Sequence, residues 1–499
     1  MYTRIAVVNM FLNAGETTRA IEIAKALRKL FKTNPESSCE IAFFSTMFAD
    51  DDQVSYQTLV RKAGFDATCI GKGYTNEEWK AIEHREHNGQ AFYDPKDQAR
   101  VARSMLEMQE MMLYYGPDLI VHGFMHDLSG PIAAKVLNIP TISFCPIPMD
   151  VEWTKRHLMT DFPEEKRSEK PLSQLELLER RALLQQMAFD PSIPSFNTVP
   201  TCVKAALDAG WNPPTHTQQP GKLLLQDMMD ANLNLVNDLE GNYTNLDIPA
   251  RSVVTGPVFP RETSSSSDSI DDPRLAAFMN ENTAPSTKKV LITMGSSGHA
   301  EHIVSALEAV QKHQEQSNNK YKVIAIVPPS TASLDDIRQS VMSTSGESMW
   351  PSNIYLTNTF VSSMSRLHKW ADVSLIHGGQ GTVQSAMASG TPVIGVDLQM
   401  EQHFNLSNVE RRGAGIHLSP RQWSPPESLE RALDTVLREN REYYVANAQQ
   451  VQSEMSRVDG AVVSAQIIHD YLHHQEWMRH CMDRESVGTT RSVRASARG

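Results

Sequence analysis

The stretch Asp372-Val-Ser-Leu-Ile-His-Gly-Gly-Gln-Gly-Thr-Val-Gln-Ser-Ala-Met-Ala-Ser-Gly-Thr-Pro392 decides how this chain is read. Residues 373–376 are a short apolar run, a buried strand. His377, Gly378, Gly379 and Gly381 form a tight turn where backbone must come close to something. A helix begins near Thr382 and stops at Gly390, and Pro392 opens the next strand. A glycine-rich turn at a helix N-terminus offers N–H groups and the positive dipole end, which suits a diphosphate. His377 and the Thr382 hydroxyl add donors, and positive charge from the helix end and His377 would replace a cation. Such turns also occur without ligands; the His and the Gly-Thr pair at this spacing favour the anion.

Outward from this stretch the same rhythm repeats. Residues 289–294 and 323–327 read as strands around a helix at 303–311, and 427–471 as two or three helices. Toward the N-terminus, strands are expected at 4–9, 39–44, 118–122 and 141–144, with helices at 17–30 and 130–137. Residues 233–237 and 252–255 look like late strands of the same domain. Strand–loop–helix–strand order predicts parallel sheets with right-handed crossovers, and ligands at the carboxyl ends of the strands. The expected fold is α/β, two doubly wound Rossmann-like domains facing a cleft. The boundaries are 1–260 for the first domain, 261–288 for a Ser- and Pro-rich linker, 289–484 for the second and 485–499 for a frayed tail.

The chain has 499 residues, more than one core usually organises. Its net charge of −12 gives no reason to expect nucleic acid or an anionic membrane as partner. Its five cysteines are scattered with no CxxC spacing, which fits a reducing compartment. Residues 1–12 are apolar but short, without a small-residue cleavage site, and no run approaches bilayer length. A cytoplasmic protein without integral membrane segments is the expectation.

The glycine-rich stretch resembles a known family. His377-Gly-Gly-x-Gly-Thr382, then Gly390-x-Pro392, then Glu401-Gln402 resembles the donor-site signature of UDP-glycosyltransferases of GT-B architecture. Lys289-Val-Leu-Ile-Thr-Met-Gly-Ser-Ser297 is similar to the strand and loop opening their second domain, and Thr255-Gly-Pro-Val258 to the end of their first. Matches run from about residue 4 to 420, specific in the second half and individually weak in the first. The resemblance implies that His377, Gly379, Gly381 and Thr382 hold the donor diphosphate, with Ser296 and Ser297 opposite. It implies Val361 along the base through its backbone, and Glu401 and Gln402 on the sugar hydroxyls. It implies a UDP-sugar or related nucleotide-sugar as co-substrate, a small lipophilic acceptor, no cofactor and no metal.

Three features depart from the family pattern, the third a pair of residues. Ser385 stands where a Glu often grips the ribose, and Asp397 where a Pro often precedes the sugar-binding loop. Asp397 either touches the sugar or is solvated. On the acceptor side, Glu16 stands where many members carry a general-base His, and His122, with Asp127 nearby, where many carry the orienting Asp. An inverted pair is expected: Glu16 as base, His122 as orienter. The bland alternative is a helix-entry carboxylate and a packed strand-end histidine.

Weaker features read plainly. Asp50-Asp-Asp52 is a solvated acidic loop, and Asn242-Tyr-Thr244 has no meaning without secretion. His469 and His473, at i and i+4, read as exposed helix, because no acid or cysteine completes a metal site. Met105, Met108, Met111 and Met112 read as core, or as the wall of an acceptor pocket. The function that follows is inverting sugar transfer. The alternatives are a non-catalytic nucleotide-sugar-binding subunit, separable by donor turnover, and a nucleotide-sugar epimerase on the same architecture, which lacks the His-Gly-Gly-x-Gly-Thr pattern.

Overall fold

In a computed structural model of the chain, two sheets carry the fold, and every strand pairing within them is parallel. The structure describes residues 2–12, 14–33, 38–49, 56–75, 77–78, 95–123, 129–148, 153, 231–261, 270, 272–295, 299–317, 320–327, 333–345, 349–358, 361, 364–398, 400–424 and 426–473. They fall into two compact units.

The first unit is a seven-stranded sheet, order β3-β2-β1-β4-β5-β6-β7. Its strands are β1 Tyr2–Val8, β2 Ser38–Ser45, β3 Asp66–Cys69, β4 Leu119–His122, β5 Thr141–Cys145, β6 Leu233–Val236 and β7 Ser252–Val254. Helix Ala14–Thr33 buries Ala20, Ile23, Ala24, Leu27 and Phe31 on one side of it. Helix Pro95–Tyr115 contributes Met108 and Met112 to a core with Ala6, Val8, Phe44 and Ile120, while Met111, partly buried against that core, also lines a cavity with Ser104, Glu107 and Tyr114.

The second unit is a six-stranded sheet, order β10-β9-β8-β11-β12-β13. Its strands are β8 Lys288–Thr293, β9 Tyr321–Ile326, β10 Ile354–Thr357, β11 Val373–Ile376, β12 Val393–Val396 and β13 Gly415–Leu418. Renumbered from its first strand this is 3-2-1-4-5-6, the order of dinucleotide-binding folds. The stretch expected to be linker contains helix Pro273–Asn280, started by the Asp272 carboxylate accepting from the Arg274 and Leu275 N–H groups. Leu275 is buried in the second unit's core, so this part of the stretch is integral to the unit.

The last described helix, Gly460–His473, belongs with the first unit although it follows the second in sequence. It buries Ala461, Ala465, Ile467 and Ile468 in the first core. A Cβ on Gly460 would come within 2.1 Å of the Gly256 carbonyl oxygen, so the close approach requires glycine. Asn237 Nδ2 donates to Ser464 Oγ at 3.2 Å. The helix is therefore packed, which corrects its reading as an exposed one: the His469 and His473 rings lie 5.2 and 5.8 Å from the Phe31 ring.

Candidate functional site

In the second unit β8 and β11 are neighbours, and the connections beyond them run to opposite sides of the sheet. Their carboxyl ends therefore open a crevice. The chain leaves β8 through Gly295 and β11 through His377. Gly295 has φ +55, and a Cβ there would sit 2.3 Å from His377 Cε1, so the imidazole lies directly on that backbone. A Cβ on Gly379 would meet His377 Nε2 at 2.4 Å. Gly378 has φ +79, and a Cβ would meet Leu406 Cδ1 at 2.7 Å and the Gln402 carbonyl oxygen at 3.0 Å. Three glycines are thus required for three separate close approaches around one histidine.

Helix Gln380–Ala388 starts from Gly379, which offers no side-chain cap. The Thr382 and Val383 N–H groups both reach the Gly379 carbonyl at 3.0 Å. The Gln380 N–H is also bonded, to Glu401, so the first turn turns the Gly381 N–H and the positive dipole end to the crevice. His377 is 5% exposed, and burial pushes its pKa down to about 4. It is a neutral imidazole at pH 7, one donor and one acceptor, and its buried Nδ1 has no hydrogen bond. The expectation of positive charge on His377 is therefore corrected: without bound anion, the helix end alone supplies it.

The other donor-side residues fall into place unevenly. Glu401 Oε1 accepts from the Gln380 N–H at 3.2 Å and from Asn405 Nδ2 at 2.5 Å, so it caps the helix that follows the glycine turn. Asn405 Nδ2 also donates to the Gly378 carbonyl at 3.0 Å. Gln402 is buried, and its Oε1 accepts from the Leu398 N–H at 2.8 Å. Gln402 therefore braces the loop after β12, and Glu401 the glycine turn after β11. Ser385 is buried on its helix. Val361 packs its side chain against the Leu275–Leu367 core cluster. Ser296 and Ser297 lie outside the described residues, as does Asp127. Asp397 is 2% exposed and faces two histidines, which removes the solvated reading.

In the first unit β1 and β4 occupy the equivalent positions. Glu16 sits in the first turn of helix Ala14–Thr33, 4% exposed, its Oε1 accepting from the Met10 N–H at 2.9 Å. A Cβ on Gly123 would come within 2.1 Å of that oxygen, so the carboxylate lies against the chain leaving β4. His122, the last residue of β4, faces the Gly123 carbonyl through Nδ1 at 3.1 Å. Its Nε2 is buried without a hydrogen bond, and burial pushes its pKa down to about 4. Glu16 and His122 share the strand edge but are not bonded to each other. The His122 Nδ1 is engaged by its own neighbour's carbonyl, which leaves Nε2 as the ring nitrogen for any part beside Glu16.

Comparisons with known proteins bear on the fold and on the second half of the chain. Residues 289–461 match the glycosyltransferase family 28 C-terminal domain. Over 46 residues the chain is 50% identical to a PGL/p-HBAD biosynthesis glycosyltransferase of Mycobacterium tuberculosis, covering 9% of this chain and 11% of that protein. It is 48% identical over 46 residues to a PGL/p-HBAD biosynthesis rhamnosyltransferase of Mycobacterium bovis, 9% of this chain and 10% of that one. The matched stretch thus spans about a tenth of these relatives. Among solved structures, the spinosyn forosaminyltransferase SpnP is similar over 95% of this chain and 100% of its own, at TM-score 0.58 and 16% identity. The glycosyltransferase SnogD of Streptomyces nogalater is similar over 94% and 99%, at 0.55 and 14%. The spinosyn rhamnosyltransferase SpnG, solved with thymidine diphosphate, is similar over 93% and 100%, at 0.53 and 14%. The fold is that of the GT-B glycosyltransferases. Among the described residues no helix is long and apolar enough to cross a membrane.

Proposed function

We propose that this chain is an inverting glycosyltransferase that moves a sugar from a UDP- or TDP-sugar to the hydroxyl of a small lipophilic acceptor. The observation that carries the reading is the His377–Thr382 turn at the switch point of the second sheet. There, glycine backbone, a helix N-terminus, a neutral histidine and a hydroxyl converge at one crevice. That donor set suits a diphosphate. The family 28 match over the same residues and the thymidine diphosphate of SpnG support the nucleotide-sugar class. The relatives' names, a PGL/p-HBAD biosynthesis glycosyltransferase and rhamnosyltransferase, support sugar transfer.

In the reaction Glu16 takes the proton of the acceptor hydroxyl, and the oxygen attacks the anomeric carbon. The bond from that carbon to the diphosphate breaks with inversion. The leaving diphosphate is stabilised by the helix end, His377 and the Thr382 hydroxyl, where its charge grows. Glu401 holds the glycine turn, and Gln402 the loop that faces the sugar. The test is mass spectrometry of reactions with a panel of UDP- and TDP-sugars and phenolic or lipid acceptors. A product heavier by one sugar, with inverted anomeric configuration, is expected. Donor binding with no transfer to any acceptor and no slow donor hydrolysis would favour a binding subunit.

A further inference from the structure

Asp397 follows β12, His403 lies in the first turn of the crossover helix Met400–Arg411, and His417 is the third residue of β13. β12 and β13 are paired, with Gly395 opposite His417, so the crossover brings three chemistry-bearing side chains together at one sheet edge. The cluster is buried: the side chains are 2%, 9% and 6% exposed. His403 Nδ1 is 2.9 Å from Asp397 Oδ2, and His417 Nε2 is 3.2 Å from Asp397 Oδ1. One atom from each residue lies within 4.8 Å of the other two.

One contact is informative. His417 Nε2 makes no hydrogen bond, although a carboxylate oxygen is 3.2 Å away. The ring nitrogen is close to the oxygen but not directed at it. Around a tetrahedral ion with bonds of about 2.0–2.1 Å, adjacent ligand atoms are roughly 3.3 Å apart, and each lone pair points at the ion and not at the next ligand. The spacing and missing alignment at His417 both fit, while His403 Nδ1 hydrogen-bonds Asp397 Oδ2 and would exchange that bond for the ion. On His403 the other ring nitrogen, Nε2, stands 3.4 Å from Ser407 Oγ, the kind of outer contact that fixes the tautomer of a ligating imidazole.

We propose that Asp397, His403 and His417 bind one divalent transition-metal ion. Two imidazoles and one carboxylate select a borderline ion, Zn²⁺ or its spectroscopic surrogate Co²⁺, over Mg²⁺ and Ca²⁺, which take oxygen ligands. A water completes the coordination. The ion ties the end of β12, the crossover helix and β13 together. It thereby fixes the segment that carries Glu401 and Gln402. The site lies wholly within the second unit and depends on no part of the donor reading.

The experiment uses the full chain, free of any affinity tag and stripped of metal by chelation, titrated with Co²⁺. Visible absorption saturating at about one equivalent is expected, with about one Zn²⁺ per chain by elemental analysis after reconstitution. Zn²⁺ should raise the melting temperature of the wild type by several degrees. His403→Gln and His417→Gln should each bind Co²⁺ at least ten-fold more weakly and lose the thermal shift. A His469→Gln, His473→Gln double variant should keep both. If neither single variant folds, Asp397→Cys decides: it retains a ligand and adds a thiolate-to-cobalt band in the near ultraviolet. The proposal is overturned if the folded wild type takes up neither metal. It is equally overturned if uptake is unchanged in both single variants, if the terminal-helix variant abolishes uptake, or if the cysteine variant shows no new band.

Discussion

His377 is buried, neutral and seated on glycine backbone, with a ring nitrogen left without a partner. A group so placed contributes a directed hydrogen bond to an anion. His377→Ala and Thr382→Ala are each expected to weaken binding of the nucleoside diphosphate by roughly 1.5–3 kcal/mol, about ten- to a hundred-fold, read by calorimetry. Glu16→Gln is nearly isosteric and can still accept from the Met10 N–H. It should keep fold and donor affinity while lowering turnover by roughly 100-fold or more. Wild-type turnover in that variant would return Glu16 to a helix-entry role. The sequence made the histidine turn legible because His377 and the Gly381-Thr382 pair accompany the glycines at a fixed spacing after an apolar strand. It left Asp397, His403 and His417 illegible as a cluster. They are spread over residues 397–417, and only the crossover between β12 and β13 unites them.

At the scale of elements, the turn after β11 depends on Gly378, whose positive φ and crowded Cβ position exclude other residues. Gly378→Ala meets Leu406 and the Gln402 carbonyl, so the start of helix Gln380–Ala388 must shift. The expected result is a lowered melting temperature together with loss of nucleotide binding. Adding Leu406→Ala removes one clash but not the backbone strain, and should restore neither fully. Unchanged binding in Gly378→Ala would mean the turn does not touch the ligand. Most central strands were legible from their apolar runs. The strands missed, β3, β10 and β13, have four residues each and all lie at sheet edges. An edge strand needs fewer apolar residues, whereas the equally short β4, β6, β11 and β12 lie inside their sheets and were legible as apolar runs. Helix Gly460–His473 was legible as a helix but not as part of the first unit, because its partners Phe31, Asn237 and Gly256 are distant in sequence.

At the scale of the whole molecule, buried histidines in both units set a pH limit. His122 and His377 are pushed down to about 4, and His368, hydrogen-bonded to Ser374 Oγ, to about 3. Unfolded histidine titrates near 6.5. Between those values the unfolded chain binds protons that the native chain refuses, so stability is full above about pH 6.5 and falls as pH drops toward 4. Urea midpoints measured from pH 8 to pH 5 should be flat at first and then decline, with a shallower decline in His368→Gln. A midpoint that holds steady down to pH 5 would contradict this.

The central claim is that the His377–Thr382 turn is the diphosphate site of a nucleotide-sugar donor. Isothermal calorimetry of UDP and TDP against the wild type and a His377→Ala, Thr382→Ala double variant tests it most directly. The account predicts one site per chain for at least one of the two nucleotides in the wild type, and its loss in a double variant that melts like the wild type. Equal affinity in both proteins, or no binding of either nucleotide by the wild type, would contradict it.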